Sequence, residues 1–401
     1  MTVSRRVPRR FLTLLPLAML LLALAPRAAR AIPVFSRRYK VSCQVCHDPF
    51  PKLTAFGEQF AANGFRMAPR QESPDTLGTN DSLLTLPATI PLAIRVDGYI
   101  QAYAHGSAVT DFQAPYLVKL LSSATLGKTF SYYFYALLLE SGEPGGVEDA
   151  FLYANDLGGK PVDAWLGQFQ VSDAMFSREL RLEFEDYVVY RTLVGAVPYD
   201  LTYDRGLGVT AEALGFGLVA DVVNGNGIGA AQPDASFDVD AKKNVAVHVR
   251  HGLGRSGGLG GLYYFGQAVG NNRTNSSTML GVDATLAAGI VQFNGQFLYR
   301  FDSDPLFTGG GPGVTTNGGF AELIVRPAGS RWYGYGLYNL VQANQPVLDV
   351  GLGVPPGLSR YESVAAGTGY LARRNLRLTS EAAYDLAQDD FRLTLGFSLA
   401  Y

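Results

Sequence analysis

The last eleven residues of the chain alternate strictly between large apolar side chains and smaller or polar ones. Phe391, Leu393, Leu395, Phe397, Leu399 and Tyr401 share one face, and Arg392, Thr394, Gly396, Ser398 and Ala400 share the other. A period of two predicts a β-strand whose faces meet different environments. Residues 289–301 show the same pattern, with Val291, Phe293, Phe297, Tyr299 and Phe301 opposite Gln292, Asn294, Gln296 and Arg300. An edge strand of a soluble sandwich would also alternate, so these strands alone do not identify the medium.

The composition indicates that the medium is a membrane. The mean hydropathy is slightly positive, and the 401 residues include 22 Tyr, 23 Phe and 46 Gly. Beyond the N-terminus no uninterrupted apolar run is long enough for a membrane helix. Apolar residues that are spread by alternation are typical of a transmembrane β-barrel. Residues 90–401 divide into 15 or 16 segments, and an even number of strands is expected. We therefore predict a porin-like antiparallel barrel of about 16 strands around an aqueous lumen.

Two local patterns carry further predictions for this barrel. Three aromatic clusters near strand ends are expected to form interfacial girdles, namely residues 132–135, 263–265 and 332–335. Charged and apolar residues alternate from Arg178 to Asp186, which predicts a strand with a charged face toward the lumen. An acidic site for a cation is the alternative interpretation of that charged stretch.

The first 31 residues have the organisation of a secretory signal peptide. Four arginines precede an apolar run over residues 11–25, and Ala29-Arg30-Ala31 fits a cleavage site. Removing this segment takes away six arginines and leaves 27 basic against 35 acidic residues, a net charge of −8. A negative chain is a poor partner for nucleic acid. Export and the barrel pattern together predict the bacterial outer membrane, with its lipid as surroundings.

The only two cysteines of the chain lie in the sequence Cys43-Gln44-Val45-Cys46-His47. Two thiols at this spacing can each bond one vinyl group of a haem, and the next histidine can then bind the iron as proximal ligand. A CxxC disulfide or half of a zinc site is the alternative. No second Cys/His pair completes a zinc site, and a redox CxxC does not need the histidine. We therefore predict one covalent haem c.

Residues 32–70 form a predicted CxxCH segment, followed by a polar, turn-rich linker over residues 71–89. Two prolines after His47 prevent helix continuation, and a short helix is predicted from residue 53 or 54 to 62. One face of that helix carries Leu53, Phe56 and Phe60, which are expected to lie on the porphyrin, as is Phe50. About forty residues cannot form a sizeable core alone, so we expect the barrel lumen to cover this segment.

The CxxCH motif does not specify a second ligand to the haem iron. Met67, just beyond the end of the predicted helix, is our first candidate. His105, His248 and His251 are alternatives, each of which is otherwise a polar residue of the lumen or a loop. Residues 248 and 251 are three apart, which places them on opposite faces of a strand and excludes a shared metal site unless a hairpin intervenes.

Residues 33–67 resemble the monohaem cytochrome–porin fusions of the outer membrane that are known from iron-oxidising bacteria. The resemblance rests on Pro33-Val34-Phe35-Ser36-Arg37, Cys43–Cys46 with His47, Phe50-Pro51-Lys52-Leu53, Phe56-Gly57 and Asn63-Gly64-Phe65, and on the order of signal peptide, single CxxCH, linker and barrel. Thr54 and Phe65 differ from the Asn and Tyr of the family pattern. The resemblance implies oxidation of extracellular Fe(II), transfer of the electron to the haem, and then to a soluble periplasmic carrier.

Two other functions are compatible with the same sequence. One is a porin or solute channel whose cytochrome segment acts as a plug or redox sensor. The other is an exporter that passes electrons to an external acceptor. A single haem without hydrolytic side chains favours electron transfer over substrate chemistry. The leading hypothesis is therefore an outer-membrane protein that oxidises an external donor, Fe(II) by the resemblance.

Overall fold

The computed structural model describes residues 34–69, 71–72, 74–81, 83–104, 110–351 and 353–401, so the predicted signal peptide lies outside the described residues. Sixteen antiparallel strands form a closed barrel, as predicted. In chain order, β1 to β16 are Leu92–Tyr103, Thr110–Leu126, Phe130–Glu140, Val147–Ala154, Val162–Gln170, Tyr203–Ala213, Phe216–Val223, Asn244–Gly252, Gly257–Gly270, Arg273–Ala288, Val291–Asp302, Val314–Val325, Trp332–Ala343, Arg360–Arg373, Leu376–Asp385 and Asp390–Ala400. The barrel closes where β16 pairs with β1, from Ala400 opposite Arg95 to Arg392 opposite Tyr103.

Alternation along the strands produces an apolar outside and a polar inside. Leu166 and Val282 are 64% and 63% exposed, a degree of apolar exposure that suits lipid and not water. Inward positions carry buried polar residues, among them Asn294 and Glu322. The two strands used for the sequence prediction are confirmed as β11 and β16, except that residues 289–290 form the turn before β11. Among the described residues, no helix is long and apolar enough to cross a membrane.

The two ends of the barrel differ in the length of their connections. At one end, called the short-turn end, the connections include residues 127–129, 214–215, 289–290 and 374–375. At the other, the long-loop end, they include residues 171–202, 224–243, 303–313 and 344–359. Strand β1 begins at the short-turn end, and β16 finishes there. The chain therefore enters and leaves the barrel at the same end.

The connection between β5 and β6 folds into the lumen, and we call residues 171–202 the inserted segment. It contains two 3₁₀ turns, Val171–Ala174 and Arg178–Leu180, and the short helix α4, Val188–Arg191; residues Leu193–Val194 pair with Leu348–Asp349. Tyr187, Tyr190 and Tyr199 donate or share hydrogen bonds with Glu322, Gln296 and Ser277 of the wall at 3.1, 2.7 and 2.7 Å. Arg178–Leu180 form a 3₁₀ turn and residues 181–186 lie outside every strand, so the predicted strand over Arg178–Asp186 is wrong. Its charges do lie in the lumen, but on a turn.

Arginines hold the centre of the inserted segment together around Asp186. The guanidinium groups of Arg178, Arg181 and Arg191 surround its carboxylate, the latter two at 3.7 and 3.5 Å. Burial alone would oppose ionisation, but the three arginines outweigh it and hold the pKa of Asp186 below its usual range. A strand has no means of bringing charges from positions 178, 181, 186 and 191 to one point, whereas a turn does.

The aromatic clusters face both ways, which corrects the prediction of interfacial girdles. Trp332 and Tyr263 are exposed on the outside. Tyr135, Tyr264, Tyr333 and Tyr335, in contrast, are buried inside the barrel. Consecutive residues of a strand point to opposite sides, so a run of aromatics can supply a girdle with only every second side chain.

The described part of the CxxCH segment, residues 34–69, contains three short helices and packs inside the barrel. They are α1, Val34–Tyr39, α2, Cys43–Cys46, and α3, Ala55–Ala62. The predicted helix of residues 53 or 54 to 62 is confirmed as α3. The predicted linker contains a small hairpin in which Thr76–Leu77 pairs with Leu86–Pro87.

Candidate functional site

Helix α2 is a single turn that consists of the CxxC sequence. The Ser42 hydroxyl accepts a hydrogen bond from the Gln44 amide at 3.5 Å at its N-terminus, and the His47 amide donates to the Cys43 carbonyl at 2.8 Å at its end. Both cysteines are free and half-buried. Burial, with the neighbouring Cys43 thiol, raises the pKa of Cys46, so that thiol is held protonated. The turn therefore presents two unpaired thiols together with His47.

The His47 ring is fixed by the chain that follows it. Its Nδ1 lies 2.6 Å from the carbonyl oxygen of Pro51, so Nδ1 donates the proton and Nε2 is left with its lone pair. The chain turns back through a hydrogen bond of 3.0 Å from the Asp48 amide to the Lys52 carbonyl. Burial lowers the pKa of His47, which keeps the imidazole neutral. A neutral ring with a free Nε2 is the form that binds haem iron.

Helix α3 lies directly on α2. The Thr54 hydroxyl caps α3 by accepting from the Gly57 amide at 3.1 Å, and it also donates to the Val45 carbonyl at 2.8 Å. The Thr54 amide donates to the Cys46 carbonyl at 2.9 Å. A Cβ at Gly57 would come within 2.2 Å of that same carbonyl oxygen, so only glycine permits this approach. The geometry of the CxxC turn thus depends on α3.

A cavity of about 590 Å³ lies beside these residues in the lumen. It is lined by Cys43, Cys46, His47, Phe50, Leu53 and Phe60 from the segment. This volume lies within the usual range of cofactor sites, and the mixture of two thiols, one imidazole and apolar walls fits a haem c. The residues present therefore fit the group that the motif implies.

Two of the predicted haem contacts lie away from this cavity. Phe56 does not line it and is 38% exposed. Met67 does not line it either and is half-buried after the Phe65 turn. Met175 of the inserted segment, which the sequence analysis did not single out, is buried and lines the cavity. The sequence offered no signal for Met175.

Ion pairs and hydrogen bonds attach the segment to the short-turn half of the barrel. Arg66 reaches the Asp156 carboxylate at 3.1 Å and the Lys128 carbonyl at 2.7 Å. Asp48 pairs with Arg326 at 2.5 Å. Lys52 pairs with the fully buried Glu322 at 3.4 Å. These contacts involve strands on different sides of the barrel, so they fix the position of the segment across the lumen.

Barrel residues complete the wall of the cavity that contains the CxxCH turn. Arg95 lies over the Phe50 ring, with 5.8 Å from its guanidinium carbon to the ring centroid, and Phe50 packs against His47 with centroids 5.4 Å apart. Lys119 and Tyr135 both contact the Glu179 carboxylate, the tyrosine at 2.9 Å. Inward strand positions would have indicated these residues, but their place along the barrel axis was not readable from sequence.

The other histidines lie elsewhere. His248 is buried, and its Nε2 lies 2.7 Å from Asp283 Oδ2, whereas His251 is exposed and bonds to the Gly215 carbonyl at 3.0 Å. They are on opposite faces, as predicted, and neither lines the cavity. His105 falls outside the described residues. Within the described ranges, no group of three or more His, Cys, Asp or Glu side chains is placed to hold a metal ion.

The barrel is similar to solved porin structures. An anion-selective porin from Comamonas acidovorans matches with a TM-score of 0.58 at 11% identity, over 77% of this chain and 98% of that one. OmpTΔL8, a loop-deletion mutant of an outer membrane protein of Vibrio cholerae, gives a TM-score of 0.55 at 11% identity, over 78% and 99%. Salmonella typhi OmpF in complex with daunomycin gives a TM-score of 0.54 at 11% identity, over 77% of this chain and 97% of that one. No family model and no curated protein sequence matches the chain.

These observations define the class of the protein. It has the fold of a porin, a closed 16-stranded barrel with an apolar exterior, and its location is the bacterial outer membrane. In such barrels the short turns face the periplasm and the long loops face the outside. The short-turn end, where the CxxCH segment is attached, is therefore periplasmic, and the inserted segment descends from the extracellular end.

Proposed function

We propose that this protein transfers electrons across the outer membrane through one covalent haem c, with extracellular Fe(II) as the donor and a soluble periplasmic protein as the acceptor. The observation that carries the proposal is the CxxCH turn, with two free thiols and a His47 ring whose Nε2 is available beside an apolar cavity. A channel alone has no use for this combination of groups.

In this proposal Cys43 and Cys46 would hold the haem covalently, and the Nε2 of His47 would bind its iron. Phe50 and Phe60 line the cavity and would exclude water from a bound haem, and the Pro51 carbonyl keeps the His47 ring in one orientation. Met67 remains the proposed distal ligand, although it lies outside the cavity lining. The haem supplies a one-electron couple when bound.

The position of the segment supports a soluble periplasmic protein as the electron-transfer partner. Asp48 is paired with Arg326, which directly follows the periplasmic end of β12. A haem held here lies close to a periplasmic carrier, and the barrel wall separates it from lipid. Each Fe(II) ion gives up one electron and remains outside as Fe(III), so ferric precipitate forms outside the cell.

Stopped-flow absorbance tests this function. Oxidised, detergent-purified holoprotein is mixed with anaerobic Fe(II), and the α band of ferrous haem c is followed, with dithionite as the control reductant. We expect rapid reduction by Fe(II). Reduction by dithionite alone would exclude Fe(II) as the donor, and a protein matured in a haem-attaching host without a covalent haem spectrum would exclude the haem.

A second candidate is a porin that the CxxCH segment plugs. The porin fold and the ion pairs that fix the segment across the lumen favour it. Haem reduction by Fe(II) separates the two functions: a plugged porin conducts when the segment is released, but its haem does not exchange electrons with Fe(II).

A further inference from the structure

The cavity that contains the CxxCH residues also reaches three carboxylates at its opposite end. Asp149, Asp173 and Asp221 all line it. Asp149 is two residues from the extracellular end of β4, Asp221 is two residues from that of β7, and Asp173 begins the inserted segment. His47 and Asp48, in contrast, belong to the periplasmic half. One cavity therefore joins an acidic end to the proposed haem end.

Two of these carboxylates are buried without full hydrogen bonding. Asp149 and Asp221 are 5% and 3% exposed, and in each the Oδ1 atom has no hydrogen-bond partner. A buried carboxylate oxygen without a donor is costly, because it has lost water and gained nothing in exchange. Both side chains line the cavity, so what would satisfy them must occupy that space.

No direct ion pair among the described residues balances the three carboxylates, and Lys119 and Arg178 act on Asp149 and Asp173 only without such a contact. Among the ion pairs of the described residues, none includes Asp149, Asp173 or Asp221. Asp173 is the neighbouring charge that acts most strongly on each of the other two, so the three share one electrostatic environment. Gln170 donates a hydrogen bond to Asp173, but it is neutral. The cavity is the space from which a direct counter-charge can reach all three carboxylates.

We propose that Asp149, Asp173 and Asp221 form a binding site for a hydrated divalent cation at the extracellular end of the cavity. The described residues hold no cluster tight enough to chelate a bare ion, so the carboxylates contact the ion through its water shell. The site deepens the proposed function and rests on it for the identity of the cation, which is Fe(II) as donor. The cation supplies the positive counter-charge for the buried carboxylate oxygens.

Electron paramagnetic resonance with Mn(II) tests the site without redox chemistry. The holoprotein is titrated with Mn(II), and the loss of the free-ion signal is measured. The test variant combines Asp149→Asn, Asp173→Asn and Asp221→Asn. The control combines Glu143→Gln, Asp234→Asn and Asp389→Asn, which removes the same charge from exposed residues of extracellular loops. Because affinity follows the number of carboxylate charges, we expect at least about tenfold weaker binding in the test variant only.

Equal Mn(II) affinity in both triple variants, or no binding to the native protein because the carboxylates are protonated, would overturn the site. Folding is checked by the haem spectrum and by the heat-dependent gel mobility of the barrel, and the single variant Asp221→Asn replaces the triple one if the latter misfolds. Mn(II) binding that depends on the three residues, without haem reduction by Fe(II), would keep the site and reject the proposed function. Mn(II) binding that does not depend on the three aspartates, together with haem reduction by Fe(II), would reject the site and keep the proposed function.

Discussion

The haem assignment depends on how firmly one imidazole is held. His47 has its Nδ1 bonded to Pro51, its amide bonded to Cys43 and its ring packed against Phe50. The CxxCH spacing could be read directly from sequence, because the chemistry requires adjacent residues. The orientation of the ring could not, since it depends on the return of the chain to Pro51 and Leu53.

Replacing His47 by alanine removes the proximal ligand but leaves both thiols. We expect His47→Ala to keep covalent haem with an altered spectrum and to slow electron transfer from Fe(II) by more than about 100-fold, because replacing residues that only hydrogen-bond to a metal ligand already lowers activity by about 10–100-fold. Stopped-flow absorbance measures the rate, with His251→Ala as the control, since that histidine is exposed outside the cavity. Retention of the native rate would reject the ligand assignment.

The distal ligand can be tested at two methionines. If Met67 binds the iron, Met67→Ala changes the oxidised spectrum and lowers the reduction potential, because a thioether ligand raises the potential of a haem c. Met175→Ala is the matched variant, since Met175 lines the cavity and Met67 does not. Spectra and redox titration of both variants decide: a change in the Met175 variant alone would assign the distal position to Met175 instead.

At the element scale, the strands were predictable and the inserted segment was not. Strands β11 and β16 meet lipid on one side and the lumen on the other, so their side chains alternate with a period of two. Residues 178–186 also lie between two environments, the charge cluster around Asp186 and the apolar wall near Leu182, and they alternate without being a strand. A period of two in the sequence therefore shows that alternate side chains meet two different environments, but it does not establish a strand conformation.

Helices α2 and α3 form one unit through Gly57, which allows a test of that contact. On helix propensity alone Gly57→Ala would stabilise α3 by about 1 kcal/mol. The added Cβ would instead lie 2.2 Å from the Cys46 carbonyl, so we expect a net destabilisation of roughly 1–3 kcal/mol and less haem attached per barrel. The pyridine haemochrome assay measures attachment. Gly146→Ala, where the Cβ meets open space, is the control, and a yield equal to that control would contradict the close packing.

At the scale of the whole molecule, the CxxCH segment and the barrel complete each other. The segment is too short to bury a haem alone, and the barrel encloses a lumen that the inserted segment fills only in part. Sequence predicted this combination from size and order, since a short cytochrome segment needs a cover. It did not predict attachment to the periplasmic half, because pairs such as Arg66–Asp156 and Asp48–Arg326 join residues far apart in the chain.

Removal of residues 34–89 should convert the protein into an open channel, because the ion pairs of Asp48, Lys52 and Arg66 fix the segment across the lumen. We expect single-channel conductance in planar bilayers to rise several-fold over that of the complete protein. The double variant Cys43→Ala/Cys46→Ala is the control: it cannot attach haem but keeps these ion pairs, so it should stay closed. If the double variant is open, the haem itself and not the protein segment closes the lumen. If the deletion variant stays closed, the inserted segment around Asp186 is the barrier.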